Sequence, residues 1–221
     1  MDFRETMARR AALELNDGEY VNLGFGVPTA VADYIPEGVE VILQSENGCL
    51  FFGATPELGR QDADVGNAGG RPITLLPGAS IFDSAISFAI IRGGHVDATF
   101  LGALEVDQEG NIANWALPIA PDRYSPGPGG AMDLVTGARK VVAMLQHVDK
   151  KGDSKIKKRC TMQLTGAGVL DVIITDKAVF HVAADGLILK EIMAGMNVDD
   201  IKKITEADFT VAPDLCEYRL A

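Results

Sequence analysis

The chain has 221 residues, 47% of them hydrophobic, and a formal net charge of −11. That length and apolar content support a large core, while the acid excess argues against a nucleic-acid partner, which needs surplus Lys and Arg. Cys49, Cys160 and Cys216 are too few and too scattered for a disulfide framework or a zinc site, and together with the absence of an apolar leader or membrane-spanning run they point to the cytoplasm.

Asp2 and Glu5 have the spacing of a capping box. They predict a helix over residues 2–15, with Met7, Ala11 and Leu13 packed and Arg9, Arg10 and Glu14 in solvent. A strand is expected over 19–23. Gly24-Phe25-Gly26-Val27-Pro28 follows, and Pro28 suits the first turn of a helix running to residue 34. The apolar stretch 39–44 reads as the next strand. That order indicates a βαβ unit and a parallel sheet. Residues 51–70 read as a long functional loop.

A short strand over 73–76 should close at Pro77-Gly78. A helix is expected over 84–92, with Ile86, Ala89 and Ile90 on its packing face and Gly93 as its stop. A strand over 98–101 precedes a hairpin, 104–106 with 112–114, around Gln108-Glu109-Gly110. Pro118, Pro121, Pro126 and Pro128 make 118–130 irregular. Then come a strand over 140–145, a basic loop over 149–159, a hairpin of 172–175 with 178–182, a helix over 198–204 and a strand over 209–211. The fold class is α/β: an open, mostly parallel sheet flanked by helices, with added antiparallel hairpins, in one domain over 1–221.

Ser45-Glu46-Asn47-Gly48 is the stretch that points to chemistry. It ends the apolar run Val41-Ile42-Leu43-Gln44, so a carboxylate stands where a buried strand breaks into a turn. In open α/β sheets ligands bind at that edge, and a carboxylate there can serve as a covalent nucleophile. The plain alternative is a solvated Glu at a strand end. Gly24-x-Gly26 has the position of an anion-binding loop, yet the third glycine of a dinucleotide fingerprint is missing, and a simple tight turn is equally open. His95, His147 and His181 are not at metal-ligand spacing. No Gly-x-Ser-x-Gly elbow exists, and Ser80 and Ser84 read as helix caps. Lys150, Lys151, Lys155, Lys157, Lys158 and Arg159 are a solvated face before they are a phosphate site. Trp115 either walls a pocket or anchors a loop.

Taken together, the strings Asn22-Leu23-Gly24-Phe25-Gly26-Val27-Pro28, Leu43-Gln44-Ser45-Glu46-Asn47-Gly48 and Gly129-Gly130-Ala131-Met132-Asp133 resemble the B (beta) subunit of family I CoA-transferases, the 3-oxoacid and butyrate–acetoacetate group. Asn67-Ala68-Gly69-Gly70, Leu76-Pro77-Gly78-Ala79, Ile91-Arg92-Gly93-Gly94-His95-Val96-Asp97 and Asn111-Ile112-Ala113-Asn114-Trp115 extend the likeness nearly end to end. There are departures. Cys49 replaces an aliphatic residue, Phe51-Phe52 a more glycine-rich stretch, and Asp122, Arg123 and Tyr124 stand where lysine is common.

The resemblance implies a CoA-transferase-like fold and a CoA-transferase subunit with Glu46 as nucleophile. It implies an acyl and oxyanion region at Asn22 and Gly130, beside the Gly24 and Gly26 loop. Asn47, Phe51, Phe52 and Trp115 are the substrate-loop candidates. The implied partner is an A (alpha) subunit in an A2B2 heterotetramer. No cofactor is held permanently; a coenzyme A thioester is a substrate, exchanged with a short-chain or 3-oxo acid. Two rivals on the same fold are an acyl-CoA thioesterase and a non-catalytic partner subunit. A sugar-phosphate isomerase or deaminase on a related scaffold is a further one.

Overall fold

The computed structural model describes residues 2–221. Helix α1 (Phe3–Ala12) leads into strand β1 (Tyr20–Leu23), a 3-10 helix over Pro28–Tyr34, and strand β2 (Ile42–Ser45). Strands β3 (Cys49–Phe52) and β4 (Leu75–Ile81) precede helix α2 (Ser84–Arg92) and strand β5 (Ala98–Gly102). Next come β6 (Glu105–Asp107), β7 (Ile112–Ala113), β8 (Ala116–Ala120), β9 (Arg123–Pro126) and helix α3 (Ala131–Gly137). The chain finishes with β10 (Lys140–Leu145), β11 (Ile156–Lys157), β12 (Val172–Thr175), β13 (Ala178–Ala183), β14 (Gly186–Ile192), α4 (Val198–Ile204) and β15 (Phe209–Glu217).

A ten-stranded sheet organises the molecule, in the order β15-β14-β13-β12-β10-β5-β1-β2-β3-β4. Its centre, from β12 to β2, is parallel. Antiparallel pairings extend both sides, through β13 and β14 and through β3 and β4, and β15 closes one edge parallel to β14. Parallel strands need both faces covered, because each side chain row must find a core. Strand β10 makes this visible. Val141, Ala143 and Leu145 join a cluster containing Ile91, Leu134 and Ile201 of α2, α3 and α4, whereas Val142 and Met144 join Met7, Ala8 and Ala11 of α1. The alternation is that of a strand buried on both sides.

Several sequence expectations are corrected. Asp2 precedes α1 but its side chain caps nothing, and Glu5 instead pairs with Arg9 at 3.1 Å. Arg10 and Glu14 are not in solvent: Arg10 is buried, its Nε donating to Glu191 at 2.7 Å and its Nη1 standing 2.8 Å from Glu14. Strand β3 takes in Phe51 and Phe52, the first two residues of the loop expected over 51–70. Strand β4 does not stop at Pro77-Gly78 but runs through it, which an edge strand tolerates because one side of it needs no donor. The buried face of α2 is Ser87 and Ile91, with Ile90 packed beside them as expected, while Ile86 and Ala89 are exposed; its cap is Asp83, which accepts from Ile86 N. The proline-rich stretch 118–130 is not irregular throughout. It contains the β8–β9 ribbon, in which Pro118 faces Tyr124.

Candidate functional site

On the α2 side, near the carboxyl edge of the sheet, the apolar rows give way to polar ones. Asn22, Gln44 and Thr99 are register partners on β1, β2 and β5, and all three are buried. Their chain neighbours Val21, Leu43, Ala98 and Phe100 point to the α1 core, so period two sends these polar groups toward α2. There Ser87, fully buried, takes a hydrogen bond from Gln44 Nε2 at 2.9 Å.

Glu46 is the first residue of the loop joining β2 to β3. Gly48 N donates to the Ser45 carbonyl at 2.9 Å and closes the turn. Gly48 has φ +117°, and a Cβ on it would lie 1.9 Å from the Phe82 carbonyl oxygen. Only glycine fits, for both conformation and space. The turn is tied on its far side as well. Ala68 N donates to Ser45 Oγ at 2.9 Å, and Asn47 Nδ2 donates to the Gly66 carbonyl at 2.8 Å. The half-buried Glu46 side chain is therefore presented by a turn fixed from both ends.

Asn22 Nδ2 donates to Glu46 Oε2 at 3.2 Å and to Gln44 Oε1 at 2.7 Å. Asn22 Oδ1 and the neighbouring Thr99 Oγ1 are buried without a hydrogen-bond partner. Each such orphan costs about 1–3 kcal/mol. Gly130, just before α3, comes equally close: a Cβ there would sit 3.5 Å from Glu46 Cγ and 3.0 Å from the Phe88 ring.

Two cavities meet at this carboxylate. One, of about 320 Å³, is walled by Leu23, Ala32, Leu43, Phe52, Ala68 and Ile73. The other, of about 480 Å³, is walled by Met7, Asn114, Gly130, Met144, Arg4 and Lys155. Gly24, Phe25 and Glu46 border both. Burial lowers the Lys155 ammonium below its usual range, against the pull of Asp149, Asp176 and Glu105. Burial also raises the Cys49 thiol, so beside the turn it stays protonated.

The structure thus brings Glu46, Asn22, Gly24, Gly130 and Phe52 together. Gly24 N is occupied, donating to the Phe100 carbonyl at 2.8 Å. Gly26, Asn47, Phe51 and Trp115 border neither cavity. Trp115 Nε1 donates to the Leu164 carbonyl at 3.3 Å and its ring packs edge-on to Tyr124, an anchoring role. Phe51 has φ +60° at a bulge in β3. In the basic loop, Lys157 pairs with Glu206 and Lys158 with Asp208. Gln44, Ser87 and Phe25 were not singled out by sequence. Gln44 reads as one more strand residue, and the only signal was a polar side chain inside an apolar run. Among the described residues, no group of three or more His, Cys, Asp and Glu is arranged to hold a metal ion. None of the described helices is long and apolar enough to cross a membrane.

The family model described as Coenzyme A transferase matches residues 4–203. The beta chain of the acetate CoA-transferase of Escherichia coli is 50% identical, over 99% of this chain and 99% of its own. The B-chain of the succinyl-CoA:3-ketoacid coenzyme A transferase of Helicobacter pylori is 50% identical, over 94% of this chain and 99% of its own. Among solved structures, the acyl-CoA transferase YdiF apoenzyme from Escherichia coli O157:H7 shares the fold, with a TM-score of 0.78 at 24% identity. The match covers 99% of this chain but 43% of that longer one.

Proposed function

The chain belongs to the Coenzyme A transferase family, and from that premise we propose that it is the beta subunit of an enzyme that moves CoA from an acyl-CoA to a short-chain or 3-oxo acid. The observation that carries this reading is the Glu46 carboxylate, bordered by two cavities and touched by a buried amide donor. A thioester lying across that junction directs its acyl group and its sulfur-bearing arm into different hollows.

The chemistry follows from what a carboxylate can do. Glu46 attacks the thioester carbonyl and the C–S bond breaks, giving a mixed anhydride and CoA thiolate. The thiolate attacks the glutamyl carbonyl and the donor acid leaves. Glu46 now carries CoA as a thioester. The acceptor carboxylate attacks it, and the same steps in reverse return the thiolate to the new acyl group. One difficult exchange becomes several easier ones with ping-pong kinetics. Asn22 Nδ2 and the Gly130 N–H are the donors we assign to the tetrahedral oxyanions, each worth about 3 kcal/mol. Phe52 and the loop before Gly130 border the cavities and limit water, which would hydrolyse the intermediates.

The proposed partner is an alpha subunit, in an A2B2 assembly. Its support is the naming of the relatives as beta and B chains. No resident cofactor is required, since CoA enters and leaves as substrate. Three free cysteines support a cytoplasmic setting.

The test is transfer by the assembled enzyme with Glu46 changed. Glu46→Gln abolishes it, an amide being a poor nucleophile. Glu46→Asp withdraws the charge by one methylene, so transfer collapses while slow hydrolysis persists. Turnover that needs no acid acceptor would favour a thioesterase instead, and unchanged transfer by Glu46→Gln would leave this chain a non-catalytic partner.

A further inference from the structure

Behind Asn22 runs a line of hydrogen bonds that the reaction scheme does not use. Three acceptors surround Asn22 Nδ2: Gln44 Oε1 at 2.7 Å, Glu46 Oε2 at 3.2 Å and the Gln44 carbonyl at 3.3 Å. Gln44 Nε2 donates to Ser87 Oγ at 2.9 Å. The Ser87 hydroxyl donates in turn, at a longer 3.4 Å, to the Ser45 carbonyl. A main-chain carbonyl only accepts, so the polarity of the whole line is set from that end. Ser87 must receive from the amide nitrogen of Gln44. Gln44 must then face Asn22 with its oxygen, and Asn22 must face Gln44 and Glu46 with its nitrogen.

We propose that Gln44 and Ser87 are positioning residues that keep the Asn22 amide turned with its NH2 toward Glu46 throughout turnover. The inference rests on Glu46 being the nucleophile. While Glu46 is a carboxylate, its charge alone orients Asn22. Once it is an anhydride or thioester that charge is gone, and the Ser45 carbonyl still fixes the line. A flipped Asn22 would aim Oδ1 at the developing oxyanion. Three acceptors already face the nitrogen side, so a turned amide would set its oxygen against all of them. Ser87 itself sits fully buried on the inner face of α2, beside Ile91, where an apolar residue is the ordinary choice.

The experiment compares Ser87→Ala and Gln44→Leu, alone and combined with Asn22→Ala, in the chain assembled with its alpha partner. Each single variant lowers kcat by about 10- to 100-fold, with KM for acyl-CoA within about threefold and little change in Tm. Each double variant is no slower than Asn22→Ala alone, because the effect passes through that amide. Losses that multiply overturn the proposal, as do single variants running at the parent rate. Glu46→Gln is the control. If it is inactive while Ser87→Ala and Gln44→Leu run at full speed, only the positioning role fails. If Glu46→Gln itself transfers normally, the nucleophile assignment fails and takes the positioning role with it. Should Gln44→Leu not fold, Ser87→Ala, which removes a single oxygen, decides the matter.

Discussion

The side-chain amide of Asn22, on β1 near the carboxyl edge of the sheet, reaches the Glu46 carboxylate across 3.2 Å. Strand and turn are thereby joined at the carboxylate proposed as nucleophile. Asn22→Ala removes the donor and lowers kcat by about 10²–10³. Asn22→Asp keeps the shape but sets an acceptor against Glu46 and against the oxyanion. It is at least as slow as the alanine variant, as initial rates at saturating acyl-CoA will read out.

Gly48 is the backbone hinge on which Glu46 depends. At φ +117°, with the Phe82 carbonyl 1.9 Å from any added Cβ, Gly48→Ala combines strain with a clash against main chain. The expected loss is at least about 2 kcal/mol of stability. Activity falls further than stability does, because the turn must shift. Urea unfolding beside rate measurements on the folded fraction separates the two.

A buried ion network joins α1 to β14 and the chain's last residues. Glu191 accepts from Arg10 at 2.7 Å and from Arg219 at 2.7 Å, and Glu14 pairs with Arg10 and Lys140. Burial alone would raise both carboxyls, but for Glu14 Lys140 and Arg10 outweigh it, and for Glu191 Arg10 and Arg219 do; both lie below the ordinary 4.5. A carboxyl held low in the fold contributes stability above its unfolded pKa and loses it as pH falls through the folded value. Stability therefore drops below about pH 4.5. Glu191→Gln leaves the buried Arg10 cation with Glu14 as its remaining carboxylate and costs about 1–3 kcal/mol at neutral pH. Its urea midpoint then falls less on acidification than the parent's.

His147 adds an earlier step to the acid profile. Its ring nitrogens lie 2.9 Å from the Thr175 and Thr205 hydroxyls, and burial pushes its pKa from 6.5 down to about 4. The ring is neutral in the fold, while the unfolded chain takes up a proton below 6.5. Stability is thus full above pH 6.5 and declines toward pH 4, by about 3 kcal/mol across the window. His147→Gln is less stable at neutral pH but flatter between those values in urea titrations.

The parallel centre of the sheet was legible because its strands are buried on both faces and read as continuous apolar runs. Residues 140–145 and 172–175 match β10 and β12 to the residue, and 84–92 matches α2. The edges were not legible. Proline normally ends a strand, yet β4 and the β8–β9 ribbon contain it, because a strand paired on one side has donors to spare. Arg10 misled for a different reason. Its periodicity gave no hint of Glu191, which lies far along the chain and supplies the charge that permits burial. At the site, Glu46 stood out because a turn signature followed an apolar run. Gln44 and Ser87 did not, since their importance lies in the direction of hydrogen bonds and no spacing rule encodes that.

The most direct measurement is the mass of the intact chain after mixing the assembled enzyme with acyl-CoA and no acceptor acid. The expected result is a gain equal to CoA less one water, confined on fragmentation to the peptide bearing Glu46 and absent from Glu46→Gln. Full transfer activity with the chain unmodified throughout, or with the adduct on another residue, would contradict it.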